Sequence, residues 1–357
     1  MVLRTGILYW AIPPGCDWTH GSMKQYIIKR LLLIIITLFG LITITFIVAR
    51  VAPGDPARVA AGPDATEEMV QVLREEFGLN KNLFLQYVDY IRGLVAGNLG
   101  RSIRTQHDVV ADLVRLFPAT FELTVFSLLL AVALGIPLGV ICAVYRDGPL
   151  DHLARVFSVS GLAVPMFWLG LMLQLIFALK FDLFPVGGRL GMLTQAPPAI
   201  THLYLIDSLI VGKWSTFFEA LQHIFLPAIV LSFPALASII RVNRADMLEV
   251  LNRDFITSAR AHGISRFRIV TQYALKNAMI PTTTMIGLRF GWMLGGTILV
   301  ETVFDWPGVG QYAVQSAIFS DFQPIMGVTL VIGFSFMMAN LIIDLLYGWL
   351  DPRVRYD

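Results

Sequence analysis

The sequence has few charged residues and few cysteines. Only 15% of its 357 residues are charged, whereas 56% are hydrophobic; soluble domains carry about 25% charged residues. The two cysteines, Cys16 and Cys142, do not suit a disulfide framework, and no cysteine–histidine spacing typical of a metal site occurs. The net charge of +2 gives no reason to expect a nucleic-acid partner. The low content of charged residues and the high content of hydrophobic residues indicate a chain that lies mainly in a lipid membrane.

The sequence also lacks the motifs of common hydrolytic and energy-converting sites. The phosphate-binding pattern G-x-x-x-x-G-K-[ST] is absent, because the one Gly-Lys pair, Gly212-Lys213, is followed by Trp214. Neither H-E-x-x-H nor G-x-S-x-G occurs. We therefore expect a chain that is not an enzyme by itself and that binds no cofactor or metal. If it takes part in active transport, the energy comes from an ion gradient or from another subunit.

Six segments are long and apolar enough to cross a membrane, which takes roughly 20 apolar residues. We predict an all-α, polytopic membrane helix bundle with six transmembrane helices over about 27–49, 119–144, 154–180, 223–247, 279–300 and 326–350. Pro165 lies in the third segment, and Pro227 and Pro234 lie in the fourth. We expect kinks there, because neighbouring helices in a bundle can satisfy the backbone groups that a proline frees.

The remaining parts of the chain differ in character. Residues 1–22 contain the helix-breaking Pro13–Gly15 and precede Met23, which leads into a basic stretch and a full span, so we treat them as a doubtful tail. Residues 50–118 show amphipathic helical spacing and are predicted to form a small helical subdomain. Residues 248–278 form a strongly basic loop.

The distribution of Lys and Arg predicts the orientation. With the N-terminus inside, the inside segments contain Arg4, Lys24, Lys29, Arg30, Arg146, Arg155, a dense cluster from Arg241 to Lys276, and Arg353 and Arg355. The last outside loop, about 301–325, has no Lys or Arg. The long 50–118 loop carries balanced charge, and long loops are translocated largely regardless of charge. We predict that both termini are cytoplasmic and that 50–118 is periplasmic.

The basic loop contains a glycine between small and basic residues. Short side chains at Ser258 and Ala259 allow another surface to approach the backbone, and Gly263 permits a sharp turn between two short helices. The residues that would form such a contact are Phe255, Ser258, Ala259, Arg260, Gly263 and Arg266. From the residues alone, this is either a docking loop for a partner or an ordinary basic inside loop.

Several motifs follow one another in an order that is specific in combination. In the basic loop, Ser258 and Ala259 stand five and four positions before Gly263, and Leu275–Ala278 leads to Pro281. The other motifs are Pro53–Pro56 after the first span, Glu301–Phe304 with Trp306–Gly310 after the fifth, and Asn340, Asp344, Tyr347 and Asp351–Arg353 near the end.

From residue 23 to the end, this combination resembles the ABC-importer permeases of the dipeptide/oligopeptide/nickel family, and within it the dipeptide branch. The basic loop corresponds to the family's EAA loop, with Thr257 at the family's glutamate position. The resemblance implies a type I importer permease domain over 23–357, in which the loop couples to an ATPase.

The resemblance also implies partners, location and substrate. The chain would form one half of a heterodimeric pore in the bacterial inner membrane with a second homologous permease. Two ABC ATPase subunits would bind ATP and magnesium, and a periplasmic or lipid-anchored binding protein would deliver the substrate. Peptides, dipeptides first, are the implied substrates, with nickel, glutathione or another oligopeptide as alternatives. A gradient-driven secondary transporter is the alternative of another class, and it predicts inverted repeats and buried mid-membrane carboxylates.

Arg289 lies near the middle of the fifth span, where a charged side chain is costly and usually faces a cavity or a partner. Relatives in the resembled family commonly carry a neutral polar residue at this place, so arginine is a departure. It either lines the translocation pathway and meets a peptide carboxylate, or pairs with an acid on another helix or on the partner permease.

Two motifs next to the spans allow both a functional and a structural interpretation. Glu301, Trp306 and Gly308 would form an outer gate, a contact for the binding protein, or only a tight re-entrant turn. Asp55, within Pro53–Pro56, would contact the binding protein, or the segment is simply a rigid exit from the first span.

The orientation can be tested by cysteine labelling. In a chain with Cys16 and Cys142 replaced by serine, Asp357→Cys should be protected from a membrane-impermeant maleimide in intact cells. Ser320→Cys, in the last outside loop, is the matched control and should react. Labelling of residue 357 from outside the cell would contradict the predicted orientation.

Overall fold

The computed structural model describes residues 23–51, 56–62, 65–76 and 78–350. Every regular element in these ranges is helical, and Arg101 and Asp108 form an isolated antiparallel bridge. Residues 1–22, Asp55 and Asp351–Arg353 lie outside the described residues, so the predictions that concern them remain predictions.

The described chain forms fourteen α-helices. They are α1 (Met23–Val51), α2 (Pro56–Ala61), α3 (Glu67–Glu76), α4 (Leu83–Val95), α5 (Val109–Val144), α6 (Pro149–Ala163), α7 (Met166–Leu173), α8 (Tyr204–Val211), α9 (Trp214–Leu251), α10 (Asp254–Ala261), α11 (Arg266–Arg268), α12 (Leu275–Val303), α13 (Val309–Ile318) and α14 (Phe322–Leu350). A π-helical segment, Gln174–Lys180, continues α7, and a second, Ile269–Ala274, joins α11 to α12.

Five helical segments are long and apolar enough to cross a membrane. They are Ile28–Arg50, Val109–Val144, Trp214–Leu251, Arg266–Val303 and Phe322–Ile343. A bent pair of helices, Pro149–Gly161 and Met166–Lys180, makes a sixth if the pair is one span. The predicted all-α membrane bundle is therefore confirmed, with five continuous helices and one bent pair in place of six simple spans.

The third predicted span is broken rather than kinked. α6 ends at Ala163, α7 begins at Met166, and the two axes meet at 111°. Pro165 lacks an N–H and disfavours helical geometry in the residue before it. Val164 accordingly adopts an extended conformation, with φ −78° and ψ 123°. The sequence predicted one span over 154–180 with a kink at the proline. The structure instead has two helices joined at Val164–Pro165.

α9 is the central element of the bundle. It remains helical through Pro227 and Pro234 and packs against α5, α6 and α12. In its most apolar stretch 72% of the residues are buried, compared with 6% in α1. Because a helix that is buried on most sides depends on its neighbours for stability, these contacts hold the two prolines inside a continuous helix.

A buried ion-pair cluster joins α6 to α9 at the end of the bundle that carries α10, called here the α10 end. The Asp151 carboxylate, 0% exposed, accepts hydrogen bonds from Arg244 Nε at 2.5 Å and Arg244 Nη2 at 2.8 Å. Arg155 Nη2 and the Asp147 N–H donate to the same carboxylate at 2.8 and 3.0 Å. A buried charge needs such partners, so this cluster fixes the first turn of α6 against α9.

Helices α2 to α4 lie at the opposite end, called here the subdomain end. α4 packs on α1 through Phe46, whose ring contacts Tyr87 edge-on at 5.2 Å and stacks on Tyr90 at 5.6 Å. Asn82 caps the N-terminus of α4 by accepting from the Phe84 N–H at 3.1 Å. These contacts hold the predicted small helical subdomain on the end of the first span.

Candidate functional site

The turn predicted at Gly263 is present at the α10 end. The Gly263 N–H donates to the Arg260 carbonyl at 3.0 Å, and the Ile264 N–H donates to the Ala259 carbonyl at 3.2 Å. This pair of bonds is a Schellman motif, which requires a left-handed residue after the helix. Gly263 supplies it with a φ of 74°, and the space around its Cα is open. The glycine is therefore required by the backbone, not by a neighbouring atom of this chain.

The inward face of α10 packs into the chain's own core. Ile256 and Ala259 lie in an apolar cluster with Met247 of α9, Ile269 of the second π-helical segment and Ala278 of α12. Ala259 is only 6% exposed, so its small side chain lets α10 approach these helices. This position differs from the predicted contact with a partner, and we assign Ala259 a packing role within the chain.

The other face of α10 and the following helix are exposed. Ser258, Arg260 and Phe255 point away from the core, and Phe255 is 39% exposed. Phe267 of α11 is 78% exposed, which the sequence analysis did not single out. Two exposed aromatic side chains with a neighbouring arginine form a surface of the kind that protein interfaces use.

A basic cavity of about 490 Å³ lies beside this surface. Arg146, Arg260 and Arg266 line it, and no carboxylate is among its described lining residues. Arg266 is fixed in place, because its Nη2 donates to the Val144 carbonyl at 3.3 Å and its guanidinium lies 5.6 Å from the Tyr145 ring centroid. Arg146 pairs with Asp147 at 3.3 Å, so Arg260 and Arg266 are the cations of this cavity without an ion pair among the described residues.

Arg289 has neither a hydrogen bond nor an ion pair with any residue that the structure describes. It lines a small cavity with Pro234, Met293 and Gly296, where α9 and α12 face each other. Its guanidinium is partly buried, and the charge that acts on it is Arg241 of α9. No acid among the described residues pairs with Arg289, so the predicted ion pair with another helix of this chain is not observed.

A hydrogen bond sets the register of α9 and α12 in the part of their interface that carries Arg241 and Arg289. Asn243 Nδ2 donates to Thr282 Oγ1 at 3.1 Å, which sets the antiparallel helices side by side. Arg241 lies two residues before Asn243 in α9. Arg289 lies two turns after Thr282 in α12. Two cations thus lie near the same interface between the most buried span and its neighbour.

Glu301 holds the turn between α12 and α13 at the subdomain end. Its carboxylate, 0% exposed, accepts from Thr120 Oγ1 at 2.6 Å and from the N–H groups of Gly310 and Gln311 at 2.7 and 3.0 Å. Thr120 Oγ1 in turn accepts from the Val309 N–H at 2.9 Å. The carboxylate therefore caps the first turn of α13, where free N–H groups and the helix dipole favour a negative charge.

Trp306 and Gly308 complete the same buried turn. Trp306 is 1% exposed and its Nε1 donates to the Ala119 carbonyl of α5 at 3.0 Å. A Cβ atom on Gly308 would collide with the Glu301 carboxylate and with Thr120 Oγ1. Neither Glu301 nor Trp306 is available to another protein in this conformation, so the geometry supports the tight-turn interpretation over a direct contact with a binding protein.

The segment after α7 is fastened to this turn by contacts that no motif indicated. Gln174 Nε2 donates to the carbonyls of Val186 and Val303 at 2.8 and 3.0 Å. Arg189 pairs with Glu122 of α5 at 2.5 Å, and its guanidinium lies 3.5 Å from the Tyr204 ring centroid. Arg189 and Glu122 are 67 positions apart in the sequence, and Gln174 and Val303 are 129 apart. Sequence spacing cannot reveal such pairs, because only the fold brings them together.

Among the residues that the structure describes, no group of three or more His, Cys, Asp or Glu side chains is placed to hold a metal ion. The polar clusters described above are ion pairs and helix caps, whose carboxylates are already occupied by donors of the chain.

Comparison with known families identifies the class of protein. Residues 23–124 match the family described as the N-terminal membrane component of binding-protein-dependent transport systems. Residues 135–356 match the family described as "Binding-protein-dependent transport system inner membrane component". The second match covers more than half of the chain, and the chain therefore belongs to this family of inner-membrane transport components.

Individual relatives are similar over almost their whole length. The probable D,D-dipeptide transport system permease protein DdpB of Escherichia coli K12 is 44% identical over 321 residues, covering 90% of this chain and 94% of the relative. The dipeptide transport system permease protein DppB of the same strain is 40% identical over 94% of this chain and 99% of its own length. The glutathione transport system permease protein GsiC of Escherichia coli O6:H1 is 35% identical over 94% and 100%.

The Glu301 turn can be tested through Thr120. Thr120→Val should lower the stability of the purified protein by about 3 kcal/mol, because it leaves a buried carboxylate oxygen and the Val309 N–H without a partner. The measurement is the midpoint of denaturation in detergent. Thr120→Ser keeps the hydroxyl and should cost less than about 1 kcal/mol. Equal losses for the two variants would mean that methyl packing, not the hydroxyl, supports the turn.

Proposed function

We propose that this chain is the transmembrane permease subunit of an ATP-driven, binding-protein-dependent importer of dipeptides. The family match makes it a membrane component of such a transport system. The names of the relatives at 40 and 44% identity support dipeptides, and the lower 35% identity to a glutathione permease makes glutathione the second candidate. A gradient-driven transporter is not supported, because the family belongs to systems with a separate binding protein.

The observation that carries the proposal is the division of α10 into two faces. Ile256 and Ala259 anchor one face to α5, α9 and α12, while Phe255, Ser258 and Arg260 leave the other face exposed. A short helix fixed to the bundle and open on its far side is suited to dock another subunit. We propose that an ABC ATPase docks there, with α10 and the Gly263 turn as the coupling element.

Energy then enters through the partners rather than through this chain. ATP and magnesium would bind in two ATPase subunits, and their closure would displace the docked α10. Because α10 packs on the ends of three spans, its displacement would tilt them and change the side to which the pore opens. A second homologous permease would form the other half of the pore, and a periplasmic or lipid-anchored protein would deliver the peptide. Both termini and α10 would then lie in the cytoplasm.

We further propose that Arg289 lines the translocation pathway. Two cations near one helix interface repel each other, and a charge in a membrane span is costly without a counter-charge. Arg289 and Arg241 have no carboxylate partner among the described residues. The terminal carboxylate of a passing dipeptide would supply the missing negative charge. An acid of the second permease is the alternative, and the substrate series below separates the two.

Gly263→Asp tests the coupling turn. It should reduce dipeptide uptake at least tenfold while the protein stays in the membrane, because an aspartate strains the left-handed position and must be desolvated against the ATPase. The measurement is peptide uptake together with co-purification of the ATPase subunits. Uptake at the wild-type rate with both ATPases bound would contradict the proposal that this turn is the coupling site.

Three variants serve as controls for that test. Gly263→Asn tolerates the left-handed conformation better and should retain more activity than Gly263→Asp. Lys276 is exposed and lies farther along the chain, so Lys276→Gln should reduce uptake much less. Ala259→Asp should instead lower the amount of folded protein, because it places a carboxylate inside the chain's own apolar cluster.

Arg289→Gln tests the pathway. Uptake of a dipeptide with a free terminal carboxylate should fall about tenfold, the cost of one charge-assisted hydrogen bond. Uptake of the same dipeptide with an amidated C-terminus should already be slow in the wild type and should change little in the variant. Arg253→Gln, which removes an exposed arginine paired with Glu249, is the matched control. Equal losses for both peptides, with loss of the second permease on purification, would point to a pair with that subunit instead.

A further inference from the structure

A polar cavity of about 250 Å³ lies where the end of α1 meets the subdomain. Its polar walls are formed by Arg50 of α1, by Lys81, and by Gln86, Asp89 and Tyr90 of α4. The candidate span of α1 ends at Arg50, so the cavity lies at the height where the membrane gives way to water. It is separate from α10, from Arg289 and from the Glu301 turn.

Three buried polar atoms of this cavity have no hydrogen-bond partner. They are Arg50 Nε, Gln86 Oε1 and Tyr90 Oη. Folded proteins satisfy nearly all buried polar atoms, and each unsatisfied one costs free energy. Gln86 is only 8% exposed, so bulk water does not readily replace the missing donor. Three such atoms in residues that line one cavity favour a ligand there, which would reach them after small rotations of the side chains.

The walls of the cavity are held in place before any ligand binds. The ring of Phe46 lies between Arg50 and Tyr90, 5.5 Å from the guanidinium carbon and 5.6 Å from the Tyr90 ring. Gln86 Nε2 donates to the Leu79 and Lys81 carbonyls at 3.1 and 2.8 Å, which fixes the amide and leaves Oε1 as an acceptor without a donor. Burial raises the pKa of Tyr90 to about 12, so its hydroxyl remains a proton donor.

The charge of the cavity selects the kind of ligand. Lys81 pairs with Asp89 at 2.7 Å, which leaves the guanidinium of Arg50 as the uncompensated charge. A ligand that satisfies all three atoms carries one negative charge for Arg50 and Tyr90, and beside it a neutral donor for Gln86. A phosphate diester next to a hydroxyl has this composition. An ammonium in place of the hydroxyl would bring a second cation to a cavity that already holds an excess of positive charge.

We propose that this cavity binds the headgroup of an anionic phospholipid, with phosphatidylglycerol as the fitting chemistry. Arg50 Nε and the Tyr90 hydroxyl donate to the phosphate oxygens, and a glycerol hydroxyl donates to Gln86 Oε1. The position at the end of a span allows the acyl chains to remain in the bilayer beside α1, whose apolar residues such as Ile47 and Val48 are exposed. The lipid then connects the subdomain to the membrane surface.

The test uses the full chain in nanodiscs made of phosphatidylglycerol, phosphatidylethanolamine or phosphatidylcholine, followed by native mass spectrometry of lipid that stays bound. Wild-type protein should retain phosphatidylglycerol about tenfold more than either other lipid. Arg50→Gln should abolish this preference, and Tyr90→Phe, which removes only one hydroxyl, should reduce it several-fold. Arg92→Gln removes an exposed arginine on the same helix that does not line the cavity, and it should retain the wild-type preference.

Three results would overturn the proposal. One is equal retention of the three lipids by the wild type, and another is an unchanged preference in both Arg50→Gln and Tyr90→Phe. The third is displacement of the bound lipid by a free dipeptide but not by glycerophosphoglycerol, which would assign the cavity to a zwitterionic small molecule. Circular dichroism of each variant shows whether a lost preference reflects a lost fold, and Tyr90→Phe retains every packing contact of its ring.

Discussion

The buried carboxylate of Glu301 is the contact on which the subdomain end of the bundle depends. It receives donors from α5 and from the first turn of α13, and it extends from the end of α12. Three helices therefore meet at one side chain. The segment after α7 joins the same place, because Gln174 binds the Val303 carbonyl and the Gly188 N–H donates to the Phe304 carbonyl at 2.9 Å. The carboxylate thus sets the relative position of three helices, and the backbone carbonyls that follow it hold the segment after α7.

At the α10 end the corresponding role falls to Asp151 and to the apolar cluster beneath α10. Asp151 joins α6 to α9 through Arg244, and the cluster joins α10 to α5, α9 and α12. Both ends contain a buried ion pair, Arg189–Glu122 at one and Arg244–Asp151 at the other, and they differ in that a capped turn completes the first and an apolar cluster completes the second. α9 contributes to both as the one helix whose length of 38 residues runs through the centre.

Much of this architecture is predictable from the sequence, and the reasons for the exceptions are physical. Long apolar runs report spans reliably, since lipid requires them, and the turn at Gly263 follows from the residue type that a left-handed position needs. The break at Pro165 was expected as a kink, because the loss of one N–H does not reveal whether neighbours will restore the helix. The sequence did not predict that Ala259 faces the core of its own chain, because a small side chain suits a contact with a partner and close helix packing equally well.

The break between α6 and α7 has a consequence for how motion crosses the membrane. α6 is fastened at the α10 end by Asp151, and the π-helical segment after α7 is fastened at the opposite end by Gln174. The non-helical Val164–Pro165 joint between them transmits torsion poorly. If a partner displaces α10 as proposed, the displacement would pass through the continuous helices α9 and α12, while the jointed pair would let the two ends of the bundle rotate by different amounts.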